Sequence, residues 1–181
     1  MNWQYIWNTL PRFIDATWIT LQLSFWAIVL SLFIGFFCAI VTTYKVRMLN
    51  PIVKFYIELS RNTPLLIQVF FLYFGLSKVG IKLDGFTCAV IGLAFLGASY
   101  MSEAIRGGLE AIPRAQLESA LSLGLTPAQA FRYVLFPQAF AVAAPAIGAN
   151  SLFLMKETSV VSAIAIAELM FMAKEIIGMD Y

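Results

Sequence analysis

The sequence predicts an all-α protein that crosses a membrane several times, and three observations carry that prediction. The chain of 181 residues is 61% hydrophobic and 12% charged, whereas soluble domains hold roughly 25% charged and 45–50% apolar residues. Its apolar residues run in uncharged blocks, and a helix of about 20 such residues is enough to cross a bilayer core. Its polar residues gather between those blocks, most of all at 103–137, EAIRGGLEAIPRAQLESALSLGLTPAQAFRYVLFP. The net charge is +2 with the basic residues dispersed, which argues against a nucleic-acid partner. There is no histidine, and the two cysteines, Cys38 and Cys88, lie mid-way in apolar runs. They read as small buried hydrophobes, not as a disulfide or metal pair.

The first 15 residues are rich in tryptophan and tyrosine and read as an interfacial lead-in. A signal peptide would need a basic start and a shorter apolar run. Residues 16–44 carry no charge and predict the first span. Lys45, Arg47, Lys54 and Arg61 follow, which marks a cytoplasmic loop and puts the N-terminus outside. Thr63-Pro64 reads as a cap followed by proline at the first helical position, with a second span over 60–77. A short external loop covers 78–84. Residues 85–102 are uncharged and rich in Gly, Ala and Ser, a third span suited to close helix packing. A fourth span, 133–155, contains Pro137, Pro145 and Gly148, so a broken or kinked helix is expected there. The apolar stretch after it is too short to cross and reads as a half-membrane helix over 158–170. Seven of the 12 basic residues fall in the loops read as internal.

The island at 103–137 predicts two short surface helices. Pro113 suits the start of the first and Gly124 its left-handed C′ position. Thr126-Pro127-Ala128-Gln129 reads as a capping box that opens the second. Leu117, Ala120 and Leu121 form one apolar stripe and Phe131, Val134 and Leu135 another. An amphipathic loop resting on lipid headgroups would have the same pattern.

The island also carries a motif. Glu118-Ser119-Ala120 is followed after three residues by Gly124, and after nine more by Val134-Leu135-Phe136-Pro137. This resembles the EAA loop of ABC importer permeases, with Ser119, Val134 and Phe136 as departures from that pattern. ELSRNTPLLIQVFFLYFGL (58–76) and LMKETSVVSAIAIAEL (154–169) are similar to segments of the permeases for polar amino acids, of the histidine, glutamine and arginine type. Glu157 stands where aspartate is usual in that group. The resemblance implies a type I importer-permease fold in a single transmembrane domain over 1–181, in a bacterial plasma (inner) membrane. That family has five spans, so the sequence reads as lacking the last one.

The resemblance implies that Glu118, Ser119, Ala120, Gly124 and Pro137 couple the chain to an ATP-binding subunit, present in two copies, which uses ATP and Mg. The chain itself has no G-x-x-x-x-G-K-[ST] phosphate loop and is expected to be a transport subunit and not an enzyme. A second permease, identical or different, and an extracytoplasmic amino-acid-binding protein complete the expected set of partners. Lys156 and Glu157 read either as part of the substrate path or as a pair at the outer interface with the lysine snorkelling. Thr158 and Ser159 read as substrate contacts or as caps. Gln68 and Asn150 read as bonds across helices or as path residues. Glu58 and Arg61, one turn apart, read as a local ion pair. The competing readings of the whole chain are a secondary transporter or channel without an ATPase, a truncated remnant that does not transport, and a membrane enzyme. The last lacks histidine, a metal cluster or paired carboxylates within its spans.

Overall fold

The computed structural model describes residues 3–180. Among them every regular element is helical. α1 is Trp3–Thr43. The aromatic lead-in is therefore no separate element but the first turns of this helix. Pro11 lies inside it, removing one backbone bond without ending the helix. Three hydroxyls within α1 are satisfied by its own backbone: Thr17 donates to the Phe13 carbonyl at 2.7 Å, Thr20 to Ala16 at 3.0 Å and Ser24 to Thr20 at 2.8 Å. That local bonding lets polar side chains sit in an apolar helix. Lys45, at φ 51°, ends α1 in a left-handed conformation.

The second expected span, 60–77, is not one helix. Residues 60–62 belong to α2, Asn50–Asn62. A break at Thr63-Pro64 precedes α3, Leu65–Lys78. Pro64, not Thr63, takes the N-cap place, and no side chain caps this end. At 1.5 Å per residue α3 is roughly 21 Å long, short of the ~30 Å hydrocarbon layer. Its turn at Phe71–Gly75 is widened to π geometry.

α4, Gly85–Glu110, runs past the expected end at 102, so the first residues of the island are its last two turns. Asp84 opens it. The Asp84 carboxyl accepts bonds from the Thr87 hydroxyl and backbone N–H, which hold it below the ordinary carboxylate value. α5 is Arg114–Ser122. α6, Pro127–Ile164, joins the second island helix and the fourth span into one element, and the break expected at Pro137 and Pro145 is absent. Instead the turn at Phe131–Leu135 is π, with the Phe136 N–H bonded back to Phe131. Pro137 has no N–H and its ring would collide with the carbonyl four residues earlier. The wider turn just ahead of it relieves both problems. Pro145 also sits within the helix. The expected half-membrane helix over 158–170 is a 3₁₀ segment, Thr158–Ile164, that ends α6 at Ala165 in a left-handed conformation. α7, Leu169–Asp180, is separate. Only α1, α4 and α6, among the described residues, are long and apolar enough to cross a membrane.

The chain divides into two compact units. The first contains the residues up to Leu30, Thr63–Leu96 and those from Leu152 onward. Its core includes Leu23, Val69, Leu93, Leu154 and Val161. The N-terminus of α7 is fully capped there. Leu169 N–H donates to Thr20 Oγ1, Met170 and Phe171 N–H to the two carboxyl oxygens of Glu168, and the Glu168 N–H to the Ile166 carbonyl. These are the four donors that a helix start leaves without partners. Arg12 and Glu175 pair at 2.7 Å.

The second unit contains Ser31–Asn62 and Gly97–Ser151, and small residues set its packing. A Cβ on Gly35 would lie 2.7 Å from Met101 Cβ, and one on Gly108 would lie 2.8 Å from Ala143 Cβ and closer still to the Ala139 carbonyl oxygen. Helix backbones meet at both places. Gly108→Val is therefore expected to lower the thermal midpoint in detergent, by about 1–3 kcal/mol of overpacking. At Gly148 a Cβ meets nothing within 4 Å, and Gly148→Ala should leave the midpoint unchanged or raise it, by up to about 1 kcal/mol.

Candidate functional site

The island begins at the end of α4. Arg106 bridges Glu103 at 2.6 Å and Glu110 at 2.8 Å, one and two turns of a single helical face. Pro113, in extended conformation, then takes the N-cap of α5. At the other end of α5 the Leu125 N–H bonds to the Ala120 carbonyl at 3.2 Å and the Gly124 N–H to Leu121 at 3.0 Å. With Gly124 at φ +83°, this is the Schellman arrangement. A side chain at Gly124 would meet open space, so the left-handed backbone alone demands the glycine. The capping box forms as the sequence predicts: Gln129 N–H donates to Thr126 Oγ1 at 3.3 Å and Thr126 N–H to Gln129 Oε1 at 2.9 Å. The two helices are thus locked by backbone bonds at the turn between them.

Of the residues in the motif, Ala120 is buried, while Glu118, Ser119 and Pro137 are exposed. Among the described residues the Glu118 carboxylate has no cationic partner, whereas Arg106 is saturated by two acids. The apolar stripes are only partly covered: Leu121 is exposed, and Leu123, beside the turn, is 83% exposed. Arg132 lies over the Tyr133 ring at 5.8 Å. Phe136, just past the π turn, meets Phe36 of α1 edge-on at 5.9 Å.

The residues read as a possible path do not form one cluster. Residues 158–164 pack against 65–70, which puts Gln68 on the element next to Thr158 and Ser159. Gln68 donates to the Thr63 carbonyl at 3.0 Å. Asn150 lies in the other unit, where it donates across helices to the Tyr100 carbonyl at 3.2 Å. Neither Thr158 nor Ser159 caps a helix. Thr158 is buried and its hydroxyl donates to the Met155 carbonyl at 2.8 Å. Lys156 is exposed and Glu157 half-buried. The ion pair expected between Glu58 and Arg61 is absent, because the Arg61 guanidinium stacks on Tyr100, 5.0 Å from the ring centroid, an arrangement the planar group favours.

Sequence reasoning missed Glu168, whose residue is 1% exposed. An acid directly ahead of an apolar helix was a usable capping signal. The bond beside it, from Leu169 N–H to Thr20 Oγ1, was not legible, because the two residues lie 149 positions apart.

The described residues are thus all-helical, with helices long and apolar enough to span a membrane and a rigidly turned helix pair between two of them. A family model described as "Binding-protein-dependent transport system inner membrane component" matches residues 27–181. The probable amino-acid ABC transporter permease PatM of Vibrio harveyi is 35% identical over 176 residues, covering 96% of this chain and 79% of that protein. The glutamine transport system permease GlnP of Escherichia coli K12 is 31% identical over 182 residues, covering 99% and 83%. A crystal structure of an amino acid ABC transporter with histidines superposes with a TM-score of 0.87 at 35% identity, covering 97% of this chain and 82% of that one. The MetNI methionine transporter, at 22% identity and a TM-score of 0.72, shares the fold. The chain belongs to the family of binding-protein-dependent transport system inner membrane components. It is a multi-pass permease subunit of an inner-membrane importer, and in these systems ATP hydrolysis resides on a separate subunit.

The geometry of the turn makes a direct prediction. Gly124→Ala forces a Cβ into a left-handed backbone and should cost about 1–2 kcal/mol, read as a lower melting midpoint. Gly107→Ala, at an exposed helical position with no atom near its Cβ, should cost nothing measurable.

Proposed function

We propose that the chain is the translocating permease of an ATP-driven importer for polar amino acids, and that α5 with the first turns of α6 is the surface that receives the ATP-binding subunit. One observation carries the docking reading: a glycine-locked helix pair presents an unpaired carboxylate, Glu118, beside the exposed Leu121 and Leu123. A docking surface must be stiff enough to pass on a neighbour's movement, and the Schellman turn and capping box stiffen this one through backbone bonds. The printed names of the relatives, amino acid and glutamine among them, support the substrate class.

In this reading two ATP-binding subunits each engage one island. The path lies between this chain and a second permease, the same or different. An external binding protein delivers the substrate, and the N-terminus faces outside. Lys156, Glu157, Ser159 and Gln68 offer the charged and polar groups that an amino acid's carboxylate and ammonium require. Asn150 is bonded across helices to the Tyr100 carbonyl within its own unit, and Thr158 to Met155 within its own segment.

The test is co-purification in detergent with the cognate ATP-binding subunit. The native chain is expected to capture it, and Glu118→Ala and Gly124→Asp to lose at least tenfold in capture. Glu118→Ala should keep the native melting midpoint. Undiminished capture by both variants overturns the reading.

A further inference from the structure

The segment that follows α1, residues 45–61, has no part in the function proposed above, and its three faces are chemically distinct. One face of α2 is buried: Val53 and Ile57 pack with Cys38 and Val41 of α1, and Ser60 Oγ lies 3.4 Å from Ser99 Oγ. A second face is apolar and exposed. Ile52 is 63% exposed, Phe55 66% and Leu59 48%, and Met48, at 83%, extends the row back by one turn. The spacing 48, 52, 55, 59 keeps all four on one side of a helix, and the turn before α2 is already helical, with Asn50 N–H bonded to the Val46 carbonyl at 2.8 Å.

The third face is basic. At 3.6 residues per turn, Arg47 lies about 110° and Lys54 about 130° around the helix from the middle of the apolar row, with the exposed acid Glu58 on the same side. Lys45, Arg47 and Lys54 are all exposed, and among the described residues none has a carboxylate partner. Arg61 is occupied by Tyr100, and Glu58 is the one acid between 45 and 61.

Lys45 adds a separate observation. It holds the left-handed C′ position of α1, where the Val46 N–H reaches back to the Val41 carbonyl at 3.1 Å. Glycine takes that conformation without strain. A lysine there keeps a cation at the end of the uncharged run 16–44, where basic residues favour the headgroup layer.

We propose that residues 45–61 form a binding site for an acidic phospholipid in the leaflet that the C-terminal end of α1 reaches. The row Met48, Ile52, Phe55 and Leu59 sits among the acyl chains. Lys45, Arg47 and Lys54, on long stems at the flank of that row, reach the phosphate. The charge match selects an anionic headgroup, and the apolar row selects a lipid over a soluble phosphate. Surface attraction of this kind contributes about fivefold in affinity per cation.

The experiment is native mass spectrometry of the full chain in mild detergent, offered phosphatidylglycerol and phosphatidylcholine with the same acyl chains. The native chain is expected to retain phosphatidylglycerol preferentially. Lys45→Gly should weaken that retention about fivefold while leaving the melting midpoint unchanged or higher, since it relieves the backbone as it removes the charge. Arg47→Gln with Lys54→Gln should weaken it further, and Lys78→Gln with Lys82→Gln, in the other loop, should not. Equal retention of the two lipids by the native chain overturns the site, and so does an unaltered preference in Lys45→Gly. A photo-crosslinker at Phe55 supports it by labelling lipid and overturns it by labelling a protein subunit.

Discussion

The second unit depends on helices that approach until their backbones touch. Within a bilayer the surroundings are as apolar as the side chains, so burying leucine gains little and association rests on close van der Waals contact. Gly35 and Gly108 provide that contact, with Met101, Ala139 and Ala143 against them. Because the small residues of α4 permit these crossings, the end of α4 is held against the start of the long stretch of α6. The island therefore emerges from two helices fixed to one another and not from a slack loop. Its ion bridges, Arg106 to Glu103 and Glu110, lie on α4 itself, so they support that helix without committing the charge of α5.

This division leaves α5 chemically available. Its turn is built from backbone bonds and its one buried anchor is alanine, so its acid and its leucines remain free for a second protein. In the docking proposed above, the same arrangement is what would let a partner subunit drive this one. Force applied at a turn with little internal slack passes into α6 through the π turn at Phe131–Leu135, where the ladder is widened but unbroken.

Much of this was legible in the sequence where the deciding interactions span only a few residues. Gly124 and the Thr126–Gln129 box are settled within one helical turn, and both formed as read. Proline was the main source of error. Pro11, Pro137 and Pro145 each remove one backbone donor, which marks a possible break, but whether the helix ends depends on neighbouring turns and packing. The π turn ahead of Pro137 cannot be seen in local composition. Thr63-Pro64 does open a helix, as read; the error there was to run the span back to residue 60, across the break, into α2. The capping role of Glu168 and the stacking of Arg61 on Tyr100 need partners from distant parts of the chain, which a single sequence does not pair.

The capping of α7 has a consequence for how the protein is made. The first amide of that helix is satisfied by Thr20, a residue of α1, 149 positions earlier. Where no water is present to stand in, an uncapped helix start is costly. The last described helix therefore has no finished beginning until the first has already taken its place. The order in which these two segments leave the ribosome is also the order that this contact requires: Thr20 is made first, and the start of α7 is completed against it.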